Sequence, residues 1–298
     1  MTKNCQEKWC LNLDDALVDA RVERIHFDTK EAVDEAVGVM VRSFAGSESS
    51  FPEGTLDWIL GPECRAKGDD KLYGFVTACP KERQEIMEIF MTFTAYQAQS
   101  NGLLLGVRDQ QTKTLLGVIA LRRPQSTWSL VRGFNAKKAY IYAGYNTWKR
   151  VDCCDKAEKN RRFAWEKGNI GKRVHLAGEE LRKGLEFVMG TRPHWFISSL
   201  AVDPNAQGKG VGRALLNITA ALAKRDNLPI YLEASGSKNK SYYTRYGFNT
   251  KLCIETMSID DPTASPYAHE GGLNLMVYTG PPAEQSKKII EAKVISSN

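Results

Sequence analysis

The hydrophobic and polar positions near the start of the chain follow two periods, one typical of strands and one of helices. Residues 20–27 alternate apolar and polar side chains, which predicts a half-buried strand. Residues 33–44 repeat apolar side chains every three or four positions, which predicts an amphipathic helix. Asp28 and Glu31 have the spacing of a capping box at its start. A second helix is expected over residues 81–99.

The period then changes to that of strands. Residues 102–109 and 114–122 are two apolar, branched runs joined by a polar link, which predicts a hairpin. Residues 123–190 follow as a long aromatic and basic insertion. Its pattern indicates helices over 152–167 and 178–189, so we expect the insertion to be partly helical.

Residues 194–202 give the clearest strand signal in the chain. Strict alternation places Phe196, Ser198, Leu200 and Val202 on one face of this strand. An Asp-Pro pair follows directly and is expected to end the strand, because proline cannot donate to a ladder.

The remaining pattern predicts alternating helices and strands. Residues 211–225 carry one apolar stripe and end in two basic residues, as suits a helix and its macrodipole. A strand over 229–234 completes a strand–helix–strand unit, whose crossover is parallel. A short helix over 239–246 and strands over 248–255 and 273–279 are expected after it.

A glycine-rich turn joins the first strand of this unit to its helix. It runs from Gln207 to Arg213, and its glycines let the backbone approach a ligand while N–H groups at the helix start face an anion. No Walker A run is present, and Arg213 stands where a dinucleotide-binding GxGxxG loop needs its third glycine. Glu233, about 20 residues further on, keeps that dinucleotide alternative open.

The turn fits a third pattern, Gln/Arg-x-x-Gly-x-Gly/Ala, through Gln207, Gly210 and Gly212. With its flanks HWFISSLAVDPNAQGKGVGRALL and YLEASGSKNKSYYTRYGF, it resembles the GNAT superfamily of N-acetyltransferases, and within it the branch of puromycin acetyltransferase. The resemblance covers residues 194–248. It implies an α/β fold with a mixed, mostly antiparallel twisted sheet around a central parallel βαβ unit that is splayed at the cofactor site.

The same resemblance implies acetyl-CoA as co-substrate and a primary amine as acceptor. It implies that backbone groups of strand residues pair with the pantetheine arm, that a backbone N–H there faces the thioester oxygen, and that the glycine turn binds the pyrophosphate. The cofactor-binding residues expected on this basis are Leu200, Ala201, Val202, Gln207, Gly208, Lys209, Gly210, Val211, Gly212, Arg213, Asn239 and Tyr243.

Tyr243 is the expected general acid, because it matches the family's tyrosine four residues before a Gly-Phe pair. Tyr242 and Tyr246 compete with it, although helical spacing puts those two on a shared face and directs Tyr243 elsewhere. Glu233 is the first choice of base for the acceptor amine; His194 and a water chain are the alternatives. Asn239 fits cofactor binding and helix capping equally.

Composition restricts the setting of the protein. Of 298 residues, 42% are hydrophobic and 26% charged, as in ordinary globular proteins. Seven irregularly spaced cysteines favour free thiols, and four scattered histidines give no metal-ligand spacing, so we predict no metal. No apolar run nears the ~20 residues of a membrane span, and no secretory leader is recognisable. We therefore expect a cytoplasmic or nuclear location and no membrane partner.

A single domain is expected over residues 20–280, with tails at 1–19 and 281–298 and the insertion at 123–190. Residues 122–192 hold 17 basic against 7 acidic residues, whereas the rest of the chain holds 24 against 28. Basic residues mixed with aromatic ones fit a nucleic-acid surface, a lid over the acceptor, or a packed subdomain. The insertion enters beside the cofactor strand, which favours the lid over nucleic acid.

Three functions are consistent with these patterns. The first is acetyl transfer to a small amine by direct attack in a ternary complex. The second is acetylation of a lysine or N-terminus of a protein. The third is a non-catalytic CoA-binding module that acts through the basic insertion. An intact glycine turn together with Tyr243 favours the two enzymes. The sequence gives neither the acceptor nor the oligomeric state.

Overall fold

One mixed sheet flanked by helices on both faces forms the framework of the protein. The computed structural model describes residues 19, 21–44, 80–124, 137–138, 141–147, 170–254 and 272–278. Its helices are α1 (Lys30–Phe44), α2 (Pro80–Asn101), α3 (Ile170–Met189), α4 (Val211–Asp226) and α5 (Gly236–Thr244). Its strands are β1 (Val22–Arg24), β2 (Gly102–Arg108), β3 (Leu115–Arg122), β4 (Trp195–Val202), β5 (Ile230–Ser235), β6 (Phe248–Ile254) and β7 (Leu273–Tyr278).

The strands lie in the order β1-β2-β3-β4-β5-β7-β6. Every neighbouring pair is antiparallel except β4 and β5, which are parallel and joined through α4. The predicted fold class, a mostly antiparallel sheet around one parallel βαβ unit, is therefore confirmed.

Alternating side chains of the sheet build two different cores. On one face, Leu103, Leu121 and Leu232 pack with the apolar stripe of α4. On the other face, Leu104 and Ala120 pack with α1 and α2. Further along that second face, α3 covers β5 and β7. The βαβ helix thus covers one side of the parallel pair, which we call the α4 face. The opposite side is called the α1–α3 face.

The start of α1 differs from the predicted capping box. The helix begins at Lys30, and Thr29 caps it: its Oγ1 accepts a hydrogen bond of 3.2 Å from the backbone N–H of Ala32. Asp28 lies one residue too early for the capping role. Asp and Thr are both good N-caps, so the sequence alone could not decide between these two adjacent residues.

α3 is longer than the helix predicted over 178–189, because it begins at Ile170. It lies within the region described above as an insertion, yet it packs on the sheet as part of the core. Residues 141–147 are also helical, and the ring of Tyr142 lies 6.1 Å from that of Tyr96 on α2. The predicted helix over 152–167 lies outside the described residues.

No helix in the described ranges is long and apolar enough to cross a membrane.

Candidate active site

β4 and β5 separate from each other halfway along their length. They pair at three positions, of which Ile197 opposite Leu232 is the last. Beyond it β4 stays with β3, while β5 stays with β7 as far as Ser235. The two central strands therefore enclose an open notch, as the resemblance implied.

An extra residue in β4 accounts for the separation. Ala120 of β3 pairs with Ser199 and the next residue, Leu121, pairs with Ile197, so Ser198 is a bulge. Its Oγ donates a hydrogen bond of 3.0 Å to the carbonyl oxygen of Ala120. A bulge bends its own strand, and this one bends β4 away from β5 at the last paired position.

The same bulge overturns the predicted face of Phe196. Alternation placed Phe196 with Leu200 and Val202, but Phe196 packs under α3 whereas the other two pack against the α4 core. One extra residue inverts the alternation of a strand, so positions before and after the bulge face opposite sides.

Backbone N–H groups of β4 point into the notch. The N–H of Asp203 donates to the carbonyl oxygen of Leu116 in β3, at 2.9 Å. Since N–H groups alternate in direction along a strand, those of Leu200 and Val202 point away from β3. The N–H of Val202 is held by Ser43 Oγ at 3.3 Å, which leaves the Leu200 N–H as the donor nearest the bulge.

The N-terminus of α4 lies directly after this strand and suits an anion. Its N-cap is Gly210, in a left-handed conformation with φ of 77°, and it has no side chain to cap the helix. The first N–H groups of α4 therefore have no partner within the helix. No acidic residue lies in its first turn, and Lys209 and Arg213 are exposed beside it. A pyrophosphate fits this chemistry.

Three tyrosines of α5 and the turn after it lie against the α4 core. Tyr242 Oη lies so near Gly212 that a Cβ on that glycine would come within 2.5 Å of it. The ring of Tyr242 also contacts that of Tyr246, with centroids 5.0 Å apart. Tyr243 points elsewhere, edge-on to Phe248 at 5.7 Å. Burial raises the pKa of Tyr243, so its phenol stays protonated at neutral pH.

Glu233 occupies the first position of β5 beyond the paired stretch. Its Oε1 accepts a hydrogen bond of 3.0 Å from Tyr231 Oη. Alternation along β5 puts it on the α1–α3 face, as it does Tyr231. Tyr243 packs on the α4 side, so the two predicted catalytic side chains approach the notch from opposite faces.

The other two sequence candidates lie further out. α5 begins at Gly236, three residues earlier than predicted, so Asn239 is inside the helix and exposed and is not its N-cap. His194 precedes β4, and its Nδ1 lies 2.7 Å from the carbonyl oxygen of Arg192. The turn residues Gln207 and Gly208 are exposed.

Sequence reasoning missed one polar residue beside the closed end of the notch. Arg122 ends β3 opposite Phe196, which lies within the paired stretch of β4 and β5, and its guanidinium carbon lies 4.0 Å from the centre of that ring. Burial lowers the pKa of Arg122, and Glu233 and Tyr231 oppose that shift. The only signal in the sequence is a basic residue at the end of an apolar strand, which is too common to single out a site.

Comparison with known proteins shows which domain this geometry belongs to. Residues 169–250 match the model of the acetyltransferase (GNAT) domain, which includes α3, β4, the glycine turn, α4 and α5. Solved structures with a similar fold were also found. One, from Corynebacterium glutamicum, is described as histone acetyltransferase HPA2 and related acetyltransferase; it is 19% identical over 87% of this chain and 95% of its own, with a TM-score of 0.43.

Two insect enzymes are similar as well. Arylalkylamine N-acetyltransferase 2 of Aedes aegypti is 14% identical over 86% of this chain and 97% of its own, with a TM-score of 0.44. Polyamine N-acetyltransferase of Drosophila melanogaster is 11% identical over 86% of this chain and 97% of its own, with a TM-score of 0.37. Likenesses of this size say nothing about what this chain acetylates. The matched model and the notch beside the glycine turn agree: residues 169–250 carry a GNAT acetyltransferase domain.

Proposed function

We propose that this protein transfers the acetyl group of acetyl-CoA to the primary amine of a small molecule, by direct attack within a ternary complex. The observation that carries the proposal is the notch between β4 and β5, which opens beside an uncapped helix N-terminus. The cofactor would enter on the side of α4, and the acceptor would reach it from the α1–α3 face.

The binding of acetyl-CoA is assigned to residues of one continuous segment. The turn from Gln207 to Gly210 and the first N–H groups of α4, from Val211 to Arg213, would hold the pyrophosphate. Lys209 and Arg213 would add positive charge. The edge of β4 from Leu200 to Val202 would line the pantetheine arm, with Asn239 as a further polar contact from α5. The thioester supplies the activated acetyl group.

The carbonyl oxygen of the acetyl group gains negative charge as the amine attacks. The Leu200 N–H points into the notch and would donate a hydrogen bond to that oxygen. It is fixed in a strand that pairs with β3, so little reorganisation is needed when the charge develops.

The acceptor amine must be neutral before it can attack. An alkylamine with a pKa near 10.4 is only about 0.04% neutral at pH 7. Glu233 is the carboxylate at the notch that is suited to remove the proton, directly or through water. Its hydrogen bond from Tyr231 Oη holds the carboxylate in place at the first position of β5 beyond the paired stretch.

The departing thiolate must be protonated. Tyr243 Oη would donate this proton from the α4 face. Because burial raises the pKa of Tyr243, the phenol is protonated across the physiological range and is readily reprotonated after each turnover, although the same shift makes it a weaker acid toward the thiolate. Tyr242, whose hydroxyl lies beside Gly212, would instead shape the cofactor turn.

A thiol-release assay tests the proposal. Purified protein and acetyl-CoA are incubated with a panel of primary amines, and free CoA is measured together with acetylated product by mass spectrometry. Release that depends on an amine, with one acetyl group added per CoA, supports the proposal. Acetylation confined to added proteins would favour the protein-acetylating alternative. Acetyl-CoA binding without release in any mixture would favour the non-catalytic module.

A further inference from the structure

The α1–α3 face has a second polar feature, beside the closed end of the notch, that acetyl transfer to a simple amine does not use. Arg122 is half-buried, and its Nε is buried and has no hydrogen-bond partner among the described residues. In the described part of the chain, no residue accepts a hydrogen bond from it or lies within ion-pair distance of 4.0 Å. Proteins rarely leave a buried polar nitrogen without a partner, because its lost hydrogen bonds to water are costly.

The position of Arg122 is fixed by the fold. It ends β3, it is paired in register with Phe196, and its Cζ lies 4.0 Å from the centre of that aromatic ring. A guanidinium presents planar N–H edges that match the two oxygens of a carboxylate. The contact with the ring holds the group in place through a cation–π interaction, which uses none of the hydrogen-bonding capacity of Nε.

A second unsatisfied group lies on the same face. Ser199 is 6% exposed, and its Oγ has no hydrogen-bond partner within the described ranges of the chain. Ser199 pairs with Ala120, two residues before Arg122, and alternation in β3 and β4 puts both side chains on the α1–α3 face. Two buried polar groups without partners at one strand junction are unusual and indicate a ligand that is bound there.

Glu233 completes the charge pattern of this face. Its carboxylate acts on Arg122 electrostatically, although burial lowers the pKa of Arg122 more strongly than Glu233 and Tyr231 raise it. The acceptor side thus presents one negative and one positive group. A plain alkylamine complements only the first of them, whereas an amine that also carries a carboxylate complements both.

We infer that the acceptor is an amine bearing a carboxylate, as in a free amino acid, and that Arg122 binds this carboxylate with help from Ser199. This inference rests on the proposed function. The amine would face Glu233 and the Leu200 N–H, while the carboxylate would lie deeper in the notch, against the edge of the guanidinium. Arg122 is then the residue that determines acceptor specificity.

Pairs of acceptors that differ only in the carboxylate test the inference. Suitable pairs are phenylalanine with 2-phenylethylamine, tryptophan with tryptamine, and lysine with cadaverine. The ratio of kcat/KM within each pair is measured for the native protein. We expect at least one amino acid to be preferred over its decarboxylated partner by about 100-fold, as for a buried charge pair that loses one member.

Variants then assign the preference to Arg122. Arg122→Gln should raise KM for the preferred amino acid about 100-fold and change kcat/KM of the matched amine less than about 3-fold. The preference for the amino acid over the amine would then be lost. Arg122→Lys should restore part of it. Arg192→Gln is the matched control, because the Arg192 guanidinium donates to the carbonyl oxygens of Val188 and Met189 at the end of α3. Ser199→Ala should reduce the ratio by a smaller factor.

A binding measurement that does not depend on turnover distinguishes a variant that has lost acceptor binding from one that folds poorly. The preferred amino acid should raise the melting temperature of the native protein with CoA present and should not raise that of Arg122→Gln. Preference for the amines in every pair of the native protein would overturn the inference and leave the proposed function standing. Equal losses for both members of a pair in Arg122→Gln would also overturn it, since Arg122 would then act on structure or on Glu233. No acetylation of any pair, with acetyl-CoA bound, would contradict both.

Discussion

The cofactor side and the acceptor side of the notch are built in opposite ways. The cofactor side comes from one continuous segment, in which β4, the glycine turn and the start of α4 follow each other along the chain. Its polar groups are backbone N–H groups and exposed cations. The acceptor side is assembled from Arg122, Ser199, Tyr231 and Glu233 on three strands, and it carries buried charge. The cofactor side suits a ligand that is the same in every reaction, whereas the acceptor side suits one particular class of acceptor.

This difference explains what the sequence could predict. The glycine turn and the α4 stripe are local patterns, so spacing predicts the turn and its helix, and the family resemblance assigns the turn to the cofactor. Arg122 became notable only when the sheet order brought it to Phe196, 74 positions further along the chain, and no local pattern records that contact. The bulge at Ser198 was missed for a related reason: strict alternation leaves no sign of an extra residue.

Element ends were predicted less well than element types. Thr29 rather than Asp28 caps α1, and α5 begins at Gly236 rather than at Asn239. Neighbouring residues with similar capping chemistry differ by amounts too small to be read from sequence. α3 was underestimated because Lys172, Arg173 and His175 interrupt the apolar pattern in its first turns.

The largest expected effect comes from a substitution that disrupts only the cofactor side of the notch. Gly210→Glu places a carboxylate at a position with φ of 77° and directed at the pyrophosphate site. Two like charges about 4 Å apart repel by about 4 kcal/mol at an effective dielectric constant near 20, so acetyl-CoA should bind about 1,000-fold more weakly. Calorimetric titration measures this. Gly210→Ala, which adds backbone strain without charge, should lose much less, and equal losses would refute the electrostatic role.

The next effect separates chemistry from binding. Tyr243→Phe should lower kcat about 100-fold while the Kd for acetyl-CoA changes less than about 3-fold, because only proton donation is removed. Steady-state rates and titration together check it. Tyr242→Phe is the neighbouring control and should affect binding at the glycine turn more than turnover. Unchanged kcat in Tyr243→Phe would show that another group protonates the thiolate.

A somewhat smaller effect is expected on the acceptor side. Glu233→Gln should lower kcat/KM for the amine roughly 30-fold or more without weakening the binding of acetyl-CoA. The loss is smaller than for Tyr243→Phe because water can replace part of the function of a base. The rate of the variant should recover as pH rises toward the pKa of the amine, since more of the amine is then neutral. A uniform loss at every pH would assign Glu233 to structure instead.

The smallest effect lies outside both sides of the notch. Glu35 on α1 pairs with Arg108 at 2.7 Å, which together with a hydrogen bond from the Leu115 N–H lowers the pKa of the Glu35 carboxyl. A lowered pKa gives stability that is present above the unfolded value near 4.3 and is lost as pH falls through the folded value. Glu35→Gln should therefore cost about 1 kcal/mol at pH 7, because the pair is partly exposed, and almost nothing near pH 3.

Denaturant unfolding at both pH values measures this difference, and the binding of acetyl-CoA should not change in the variant. A pH-independent loss of stability would mean that the ion pair is not its source. Altered cofactor binding would mean that the notch is coupled to α1, which also contacts the residue after β4 through the pair of Arg42 and Asp203 at 2.8 Å.

The central claim is that the glycine turn and the notch bind acetyl-CoA, and calorimetric titration of the native protein tests it most directly, with NAD as the parallel control. The account predicts micromolar binding of acetyl-CoA with one site per chain and no binding of NAD. A folded protein that fails to bind acetyl-CoA, or that binds NAD instead, would contradict the account and return the turn to a structural or dinucleotide role.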